Sequence, residues 1–142
     1  MFYISAETKK YPTEDSHKIA KALQTIVPAK VHKKKLGEQI YLKVESQDYS
    51  ALDNLYHLFR KHRILDVARG QLLNGRFNSG TAFFINKQAA YANKINFCQQ
   101  KGESPLGPIR IVIEYENIDH LIDWLTPYTK EGKEVTLVET FP

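Results

Sequence analysis

Side chains that could act as acids, bases, nucleophiles or metal ligands occur along this chain, but their spacing assembles no reactive site. The five histidines form no metal-binding pair with a nearby acid, and an HExxH motif is absent. His57 and His62 are five positions apart, which places them on different faces of a helix. Cys98 has no oriented base beside it, so we expect a buried structural thiol. The sequence predicts no catalytic residues, no metal site, no cofactor and no enzyme activity.

Clustered cations point instead to the binding of a polyanion. The chain has 142 residues and a formal net charge of +4. Residues 1–101 hold 17 lysines and arginines against 8 acidic residues, whereas residues 102–142 hold 3 against 8. Such asymmetry is typical of a surface that faces nucleic acid, although ordinary solubility charge is an alternative.

Three groups of residues make up the predicted RNA surface. Lysine and arginine neutralise phosphates and release counterions, and basic residues beside an aromatic ring suit single-stranded or irregular RNA. The first group is a compact basic run. The second begins on the outer arc of a predicted helix and continues along the chain beyond it. The third begins at the start of a later helix, where backbone N–H groups bind anions, and continues along one stripe of that helix. Their members are Lys33, Lys34 and Lys35; Arg60, Lys61, Arg63, Arg69 and Arg76; and Asn86, Lys87, Gln88 and Lys94.

Each of these groups also has an ordinary structural interpretation. A basic cluster taken alone is as typical of a solvated helix face as of a binding surface. The segment 86–97, NKQAAYANKINF, is equally compatible with a small structural helix that places Tyr91 and Phe97 in the core. Several clusters in one part of the chain favour binding.

The hydrophobic spacing predicts the elements that position these residues. Alternating residues predict strands at 2–7, 40–45, 81–85, 109–114 and 135–138, and the basic segment 30–35 is strand-like. Helix caps are expected at Thr13, Ser50, Asn86 and Asn117, with helices ending at Pro28, near Phe97 and before Pro127. A turn is expected at Gly37, a loop at 75–80 and a linker at 101–105. After His62 the apolar positions change phase, which predicts a kink or a new helix near Arg63.

These patterns predict an α+β fold in a single domain, 1–142, with a mostly antiparallel sheet and helices packed on one face. The largest apolar runs are much shorter than the ~20 residues of a membrane span. The first residues, MFYISAETKKYP, lack the apolar region of a signal peptide. We therefore expect a soluble cytoplasmic protein with no membrane partner.

Five pieces of the sequence resemble an uncharacterised, mainly archaeal family of about this length that is regarded as RNA-binding. They are YPTED (11–15), RILDVAR (63–69), INKQAAYANKINF (85–97), LGPI (106–109) and IDWLTPYTKEGKEV (122–135). The resemblance implies a fold similar to that of the large-subunit ribosomal protein that binds the small ribosomal RNA, and it implies a homodimer. It brings no catalytic residues. Asn93 stands where a glycine is expected, and asparagine tolerates the same left-handed turn.

Two functional hypotheses follow. The first is a dimeric RNA-binding protein that contacts the RNA backbone through the residues named above. The second is a structural or adaptor subunit of a larger complex, such as one that processes RNA, whose acidic end steers assembly. We also expect Trp124 to lie in the core, and Arg60 and Arg63 to be replaceable with little loss of stability because they lie on the polar arc of their helix.

Overall fold

A layer of strands and a layer of helices make up the protein, whose computed structural model describes residues 1–99 and 106–138. In this part of the chain the strands are β1 (Phe2–Lys10), β2 (Val31–Leu36), β3 (Gln39–Ser46), β4 (Arg76–Phe77), β5 (Gly80–Asn86), β6 (Phe97–Cys98), β7 (Pro108–Tyr115), β8 (Thr129–Lys130) and β9 (Lys133–Glu134). The helices are α1 (Ser16–Ile26), α2 (Asp53–Lys61), α3 (Leu65–Asn74), α4 (Lys87–Tyr91) and α5 (Ile118–Leu125), and a 3-10 turn (Tyr49–Leu52) precedes α2.

The main sheet is antiparallel and has the order β2-β3-β1-β7-β5-β4. Strand β6 also pairs with β5, on the edge of β5 that faces away from β7. The centre of the sheet is β1, where Ala6 lies opposite Val44 of β3 on one side and Ile111 of β7 on the other. A separate two-stranded hairpin, β8–β9, follows α5. The prediction of an α+β fold with a mostly antiparallel sheet is confirmed.

One face of the sheet carries the core. Ile4, Ala6, Val44, Ile111 and Ile113 expose no surface, because the helices pack over them. Helix α1 lies against β1, β2 and β3, whereas α3 lies against β5 and α5 lies against β7. Burying each large aliphatic side chain contributes about 1.5–3 kcal/mol, so this single layer of contacts holds the helices in place. The opposite face of the sheet has no helix over it in the described part of the chain.

Two predicted breaks in the chain are confirmed. Gly37 turns β2 into β3 with a φ of 62°, a conformation that glycine adopts without strain. Helix α2 ends at Lys61, Arg63 takes a φ of 55°, and α3 begins at Leu65. The phase change after His62 therefore marks two separate helices, as the sequence predicted.

Several predicted boundaries were wrong. Asp15, not Thr13, caps α1, and its carboxylate accepts a hydrogen bond from the N–H of His17 at 2.9 Å. A 3-10 turn capped by Asp48 replaces the start predicted at Ser50. The predicted strand at 135–138 is absent from the structure, and the hairpin β8–β9 lies just before it. The predicted loop at 75–80 contains the short strand β4, and the predicted linker at 101–105 lies outside the described residues.

The helix predicted for 86–97 is much shorter than expected. Asn86 does cap it, accepting from the N–H of Ala89 at 3.0 Å, but α4 ends at Tyr91. Asn93 then takes a φ of 59°, the left-handed conformation that the sequence suggested, and the chain turns towards β6.

Trp124 packs against the core while keeping part of its surface exposed. Its ring is stacked on Tyr56 of α2, with ring centroids 4.8 Å apart. The prediction that Trp124 lies in the core is therefore confirmed in part: the side chain packs against the core but is not fully buried. No helix within residues 1–99 and 106–138 is long and apolar enough to cross a bilayer.

Candidate nucleic-acid interface

Arg60 is one of four predicted RNA-binding cations that have partners inside the protein. Its guanidinium donates to the carbonyl oxygens of Tyr56 at 3.1 Å and Leu125 at 3.2 Å, and it forms an ion pair with Glu134 at 3.0 Å. It also lies over the ring of Tyr56, 3.4 Å from the centroid. These contacts fasten α2 to the end of α5 and to the β8–β9 hairpin.

Arg69 and Arg76 are paired with acidic residues of α5. Arg69 donates to the carbonyl oxygen of Thr126 and forms an ion pair with Asp123, both at 3.0 Å. Arg76 donates two hydrogen bonds to the carboxylate of Asp119, at 2.7 and 2.9 Å. Such a bidentate pair fixes both side chains. The acidic end of the sequence is thus drawn onto part of its basic middle.

Lys87 lies inside the protein, not on a surface. Its side chain exposes no area, and its ammonium lies 3.0 Å from a carboxylate oxygen of Glu14, which is itself 4% exposed. The same ammonium donates to the carbonyl oxygens of Lys9 and Leu106, each at 2.7 Å. The hydroxyl of Tyr91 donates to Glu14 at 2.8 Å. With all of its protons directed to internal acceptors, Lys87 cannot serve the surface anion site that its sequence position suggested.

Burial and hydrogen bonding shift the proton affinities in this cluster. Burial alone would raise the pKa of Glu14, but hydrogen bonds from the Tyr11 N–H, Lys87 and Tyr91 together hold it below its ordinary value. Burial lowers the pKa of Lys87, an effect that the Glu14 carboxylate opposes. Burial and the same carboxylate raise the pKa of the Tyr91 hydroxyl. The charged pair is therefore an integral part of the fold.

Asn86 and Gln88 flank this buried lysine and differ in their surroundings. The Asn86 side-chain oxygen is occupied as the cap of α4, whereas Gln88 is exposed. The structure therefore leaves only the amide of Gln88 at the surface of this helix start.

The basic run on β2 is exposed. Lys33, Lys34 and Lys35 are exposed and form no ion pair within the described residues. Lys33 lies opposite the buried Leu42 on β3, so it shares the helix-covered side of the sheet, as does Lys35. Lys34 lies opposite Tyr41 and shares the helix-free side. The run therefore presents charge on both sides of one sheet edge.

A second group of exposed cations surrounds the turn at Asn93. The Asn93 carbonyl oxygen lies 3.3 Å from Nε2 of His62, and its side-chain oxygen accepts from the Thr25 hydroxyl at 3.3 Å. These contacts bring the end of α2 and the end of α1 to the turn after α4. The predicted residues gathered there, all exposed, are Lys61, Arg63 and Lys94. None of the three forms an ion pair in the part of the chain that the structure describes.

Two cations of α1 extend this surface and were missed by the sequence analysis. Lys18 and Lys21 are exposed, on the side of α1 opposite the buried Ile19 and Leu23. Helix α1 packs beside β2 and also against α4. The two lysines therefore lie on a helix that contacts both β2 and α4. Their position on the polar arc of a predicted helix was the signal available in the sequence.

Within residues 1–99 and 106–138, no three histidine, cysteine, aspartate or glutamate side chains lie close enough together to hold a metal ion. The expectation of a non-catalytic protein stays a prediction.

Comparison with known proteins places the chain in a family of archaeal proteins. A family model described as RNA binding matches residues 3–115, which run from β1 to the end of β7. A UPF0201 protein of Pyrococcus abyssi is 42% identical over 130 residues, covering 91% of this chain and 92% of the relative. A UPF0201 protein of Aeropyrum pernix is 39% identical over 134 residues, covering 93% and 89%. The chain belongs to the archaeal UPF0201 family.

Solved structures share the fold. The crystal structure of a UPF0201 protein from Methanococcus jannaschii aligns with a TM-score of 0.81 and 30% identity, covering 94% of this chain and 98% of that one. A protein from Sulfolobus solfataricus aligns with a TM-score of 0.61 at 16% identity, covering 87% and 96%, and shows the likeness of fold alone. The predicted likeness to a ribosomal-protein fold stays a prediction.

Proposed function

We propose that this protein binds RNA through exposed cations that contact the phosphate backbone, without catalysing a reaction. The observation that supports this most directly is the division of its cations into two sets. Arg60, Arg69, Arg76 and Lys87 are used internally, whereas the exposed set has no acidic partner within the described residues. The exposed set that we assign to the RNA surface comprises Lys18, Lys21, Lys33, Lys34, Lys35, Lys61, Arg63 and Lys94. Lys30, Arg110, Lys130 and Lys133 are further exposed cations without an ion pair in the described residues.

Unpaired surface cations are the groups that exchange counterions for phosphates most readily, because no internal ion pair has to be broken. Membership of a family whose model is described as RNA binding supports the same ligand. The internally paired arginines contribute indirectly, by fixing the helices that carry the exposed set.

A salt titration tests this proposal. We expect the logarithm of the affinity for a 12-nucleotide oligouridylate to fall linearly with the logarithm of the salt concentration, and each phosphate contact to contribute a slope of about 0.7. Reversing Lys61 and Arg63 to glutamate should weaken binding and lower the slope by about 1.4 if each contacts one phosphate. The matched control reverses Lys130 and Lys133, two exposed cations of the β8–β9 hairpin. Equal affinity and slope for wild type and both double variants would refute a phosphate-binding role for this part of the exposed set.

The adaptor hypothesis has one observation in its favour. Val67 and Leu73 are 55% and 46% exposed on α3, as an apolar contact with a protein partner would require. An interaction that depended on these residues would be insensitive to salt. Loss of partner binding on replacing Val67 with serine, with RNA affinity unchanged, would support an adaptor role.

We further infer a cytoplasmic homodimer, an inference that rests on the family resemblance. The small-residue pair Ala89-Ala90 of α4 would allow close packing of a second subunit, but Ala90 is buried within the chain and only Ala89 is partly exposed. Light scattering at micromolar concentration should give twice the 16.4 kDa chain mass. A monomer mass would contradict the dimer without bearing on RNA binding.

A further inference from the structure

The helix-free face of the sheet gathers aromatic and basic side chains that are distant in sequence. Directly opposed residues of neighbouring antiparallel strands point to the same face. The register places Lys34 of β2 opposite Tyr41 of β3, and Tyr41 opposite Lys9 of β1. These three residues form one row across the sheet, with Tyr41 between two lysines, and the Lys9 ammonium lies over the ring of Tyr11, 4.7 Å from its centroid.

The next row crosses five strands. His32 lies opposite Lys43, Lys43 opposite Glu7, Glu7 opposite Arg110, and Arg110 opposite Phe84. The two rows together hold four lysines and arginines against one carboxylate. We call the lysines, Arg110 and the two aromatic residues of these rows the sheet patch: Lys9, Lys34, Tyr41, Lys43, Phe84 and Arg110. His32 and Glu7 complete the second row.

Charge on this face is polarised along the strands. The following row contains Glu45, opposite Ser5, and the row after that contains Glu114, opposite Tyr3. Lys43 forms an ion pair with Glu45 at 3.7 Å, at the boundary between the two halves. The basic half is therefore limited to the sheet patch, and a polyanion lying on this face is confined to it.

The two rings of the sheet patch have no structural task within the described residues. Tyr41 and Phe84 are partly exposed, and neither is among the partly buried residues that pack against the core. The Tyr41 hydroxyl makes no hydrogen bond in this part of the chain. Other rings do have partners: Tyr3 donates to Glu45, and Phe97 packs beside Phe59. Three strand spacings, about 14 Å, separate β3 from β5, so the two rings offer separate stacking positions.

We propose that the sheet patch binds single-stranded RNA by stacking bases on Tyr41 and Phe84, while its lysines and Arg110 hold the phosphates. This inference rests on the proposed RNA binding and deepens it by naming the strandedness of the ligand and the face that takes its bases. A protein surface placed here would have to supply several carboxylates to neutralise the cations and would gain little from two separated rings. An unpaired RNA strand supplies negative charge and planar rings together. A duplex supplies only the charge, because its bases are already stacked.

Binding of wild type and variants to two probes tests the sheet patch. The probes are a 12-nucleotide oligouridylate and a fully paired 12-base-pair RNA duplex. Tyr41→Ala should bind the single strand about tenfold more weakly, which corresponds to the loss of one stacked base. Its duplex affinity and salt slope should be unchanged, because no cation has been removed. Tyr41→Phe should keep wild-type affinity, since the ring and not the hydroxyl stacks. The matched control is Tyr128→Ala, which removes a tyrosine that is 45% exposed and lies off the sheet.

Crosslinking supplies a second measurement that needs no variant. Oligouridylate carrying 4-thiouridine should crosslink to peptides that contain Tyr41 or Phe84. Crosslinks confined to peptides of α1, α2 and α4 would overturn the sheet patch. So would wild-type affinity of both Tyr41→Ala and Phe84→Ala for the single strand. Failure of wild type to bind either probe would overturn the proposed function as well, so the two failures are distinguishable. Light scattering on Tyr41→Ala should give the wild-type mass. A changed mass, together with binding that is restored at higher protein concentration, would mean that Tyr41 acts in assembly and would overturn its stacking role.

Discussion

The ammonium of Lys87 lies 3.0 and 3.2 Å from the two carboxylate oxygens of Glu14, in a position where the lysine exposes no surface. The pair joins the start of α4 to the turn before α1. Through the carbonyl oxygens of Lys9 and Leu106, the same ammonium also reaches the end of β1 and the chain leading into β7. Four segments of the chain therefore meet at one nitrogen atom.

Replacing Lys87 with methionine should strongly destabilise the fold. The substitution leaves the Glu14 carboxylate buried without its cation, and breaking one partner of a buried pair costs about 3 to 5 kcal/mol. Urea unfolding at neutral pH measures the change. Gln88→Met, on the exposed neighbour, is the control and should stay within about 0.5 kcal/mol of wild type. A loss below about 1 kcal/mol for Lys87→Met would show that the pair is not important for stability.

Acid should weaken the fold through Glu14. Its folded pKa is held below the ordinary value of 4.5, because hydrogen bonds from Tyr11, Lys87 and Tyr91 outweigh the effect of burial. The stabilisation is therefore fully present above pH 4.5 and is lost as the pH falls through the lower folded pKa. This one group contributes a slope of at most about 1.4 kcal/mol per pH unit. Urea unfolding of wild type and Glu14→Gln from pH 6 to pH 3 should show a flatter acid limb in the variant; parallel limbs would exclude Glu14 as the titrating group.

Arg60→Ala should destabilise the protein and loosen the β8–β9 hairpin. The guanidinium connects two carbonyl oxygens, Glu134 and the Tyr56 ring, and hydrogen bonds to a charged group contribute about 1.5–3 kcal/mol. Hydrogen exchange of the Val135 amide, which donates to Tyr128, reports on the hairpin and should become faster. Lys61→Ala is the control on the next, exposed residue and should leave both exchange and stability unchanged. Unchanged exchange in Arg60→Ala would contradict this structural role.

RNA should leave the fluorescence of the single tryptophan unchanged. Trp124 is stacked on Tyr56 and packs against the core, so its ring already has a stacking partner, and the acidic residues Asp119 and Asp123 of its helix are paired with Arg76 and Arg69. A titration with saturating oligouridylate, at the salt concentration used for the affinity measurements, provides the check. Strong quenching without a change in mass would place bases near α5 and would contradict the assignment of the surface.

Local patterns in the sequence were sufficient to predict most of the fold. Alternation of apolar residues located β1, β3, β5 and β7, because a sheet with one covered face imposes a period of two. The turn at Gly37 and the break at Arg63 followed from backbone preference and from the change of helical phase. The left-handed Asn93 was anticipated for the same kind of reason, since asparagine adopts that conformation at low cost.

The functional surface was less predictable, because charge in a sequence carries no record of its partners. Arg60 lies on the polar arc of α2, as its spacing indicated, yet that arc faces the hairpin after α5. The predicted tolerance of this site to replacement is therefore revised: we now expect Arg60 to matter for stability and Arg63, which is exposed, to matter little. Lys87 follows a helix cap that does form, but its ammonium is directed inward to Glu14 and to the carbonyl oxygens of Lys9 and Leu106. Both outcomes depend on contacts between residues more than 60 positions apart.

The edge of the sheet at β2 has a consequence for colloidal behaviour. Its outer backbone groups face away from β3 and offer a template on which another chain could add a strand, the first step towards fibres. Three consecutive lysines on that edge make the approach of a second, identical edge repulsive. A bound polyanion would cancel that repulsion. Solubility should therefore be lowest when ligand and protein charges are balanced, and it should recover when either is in excess.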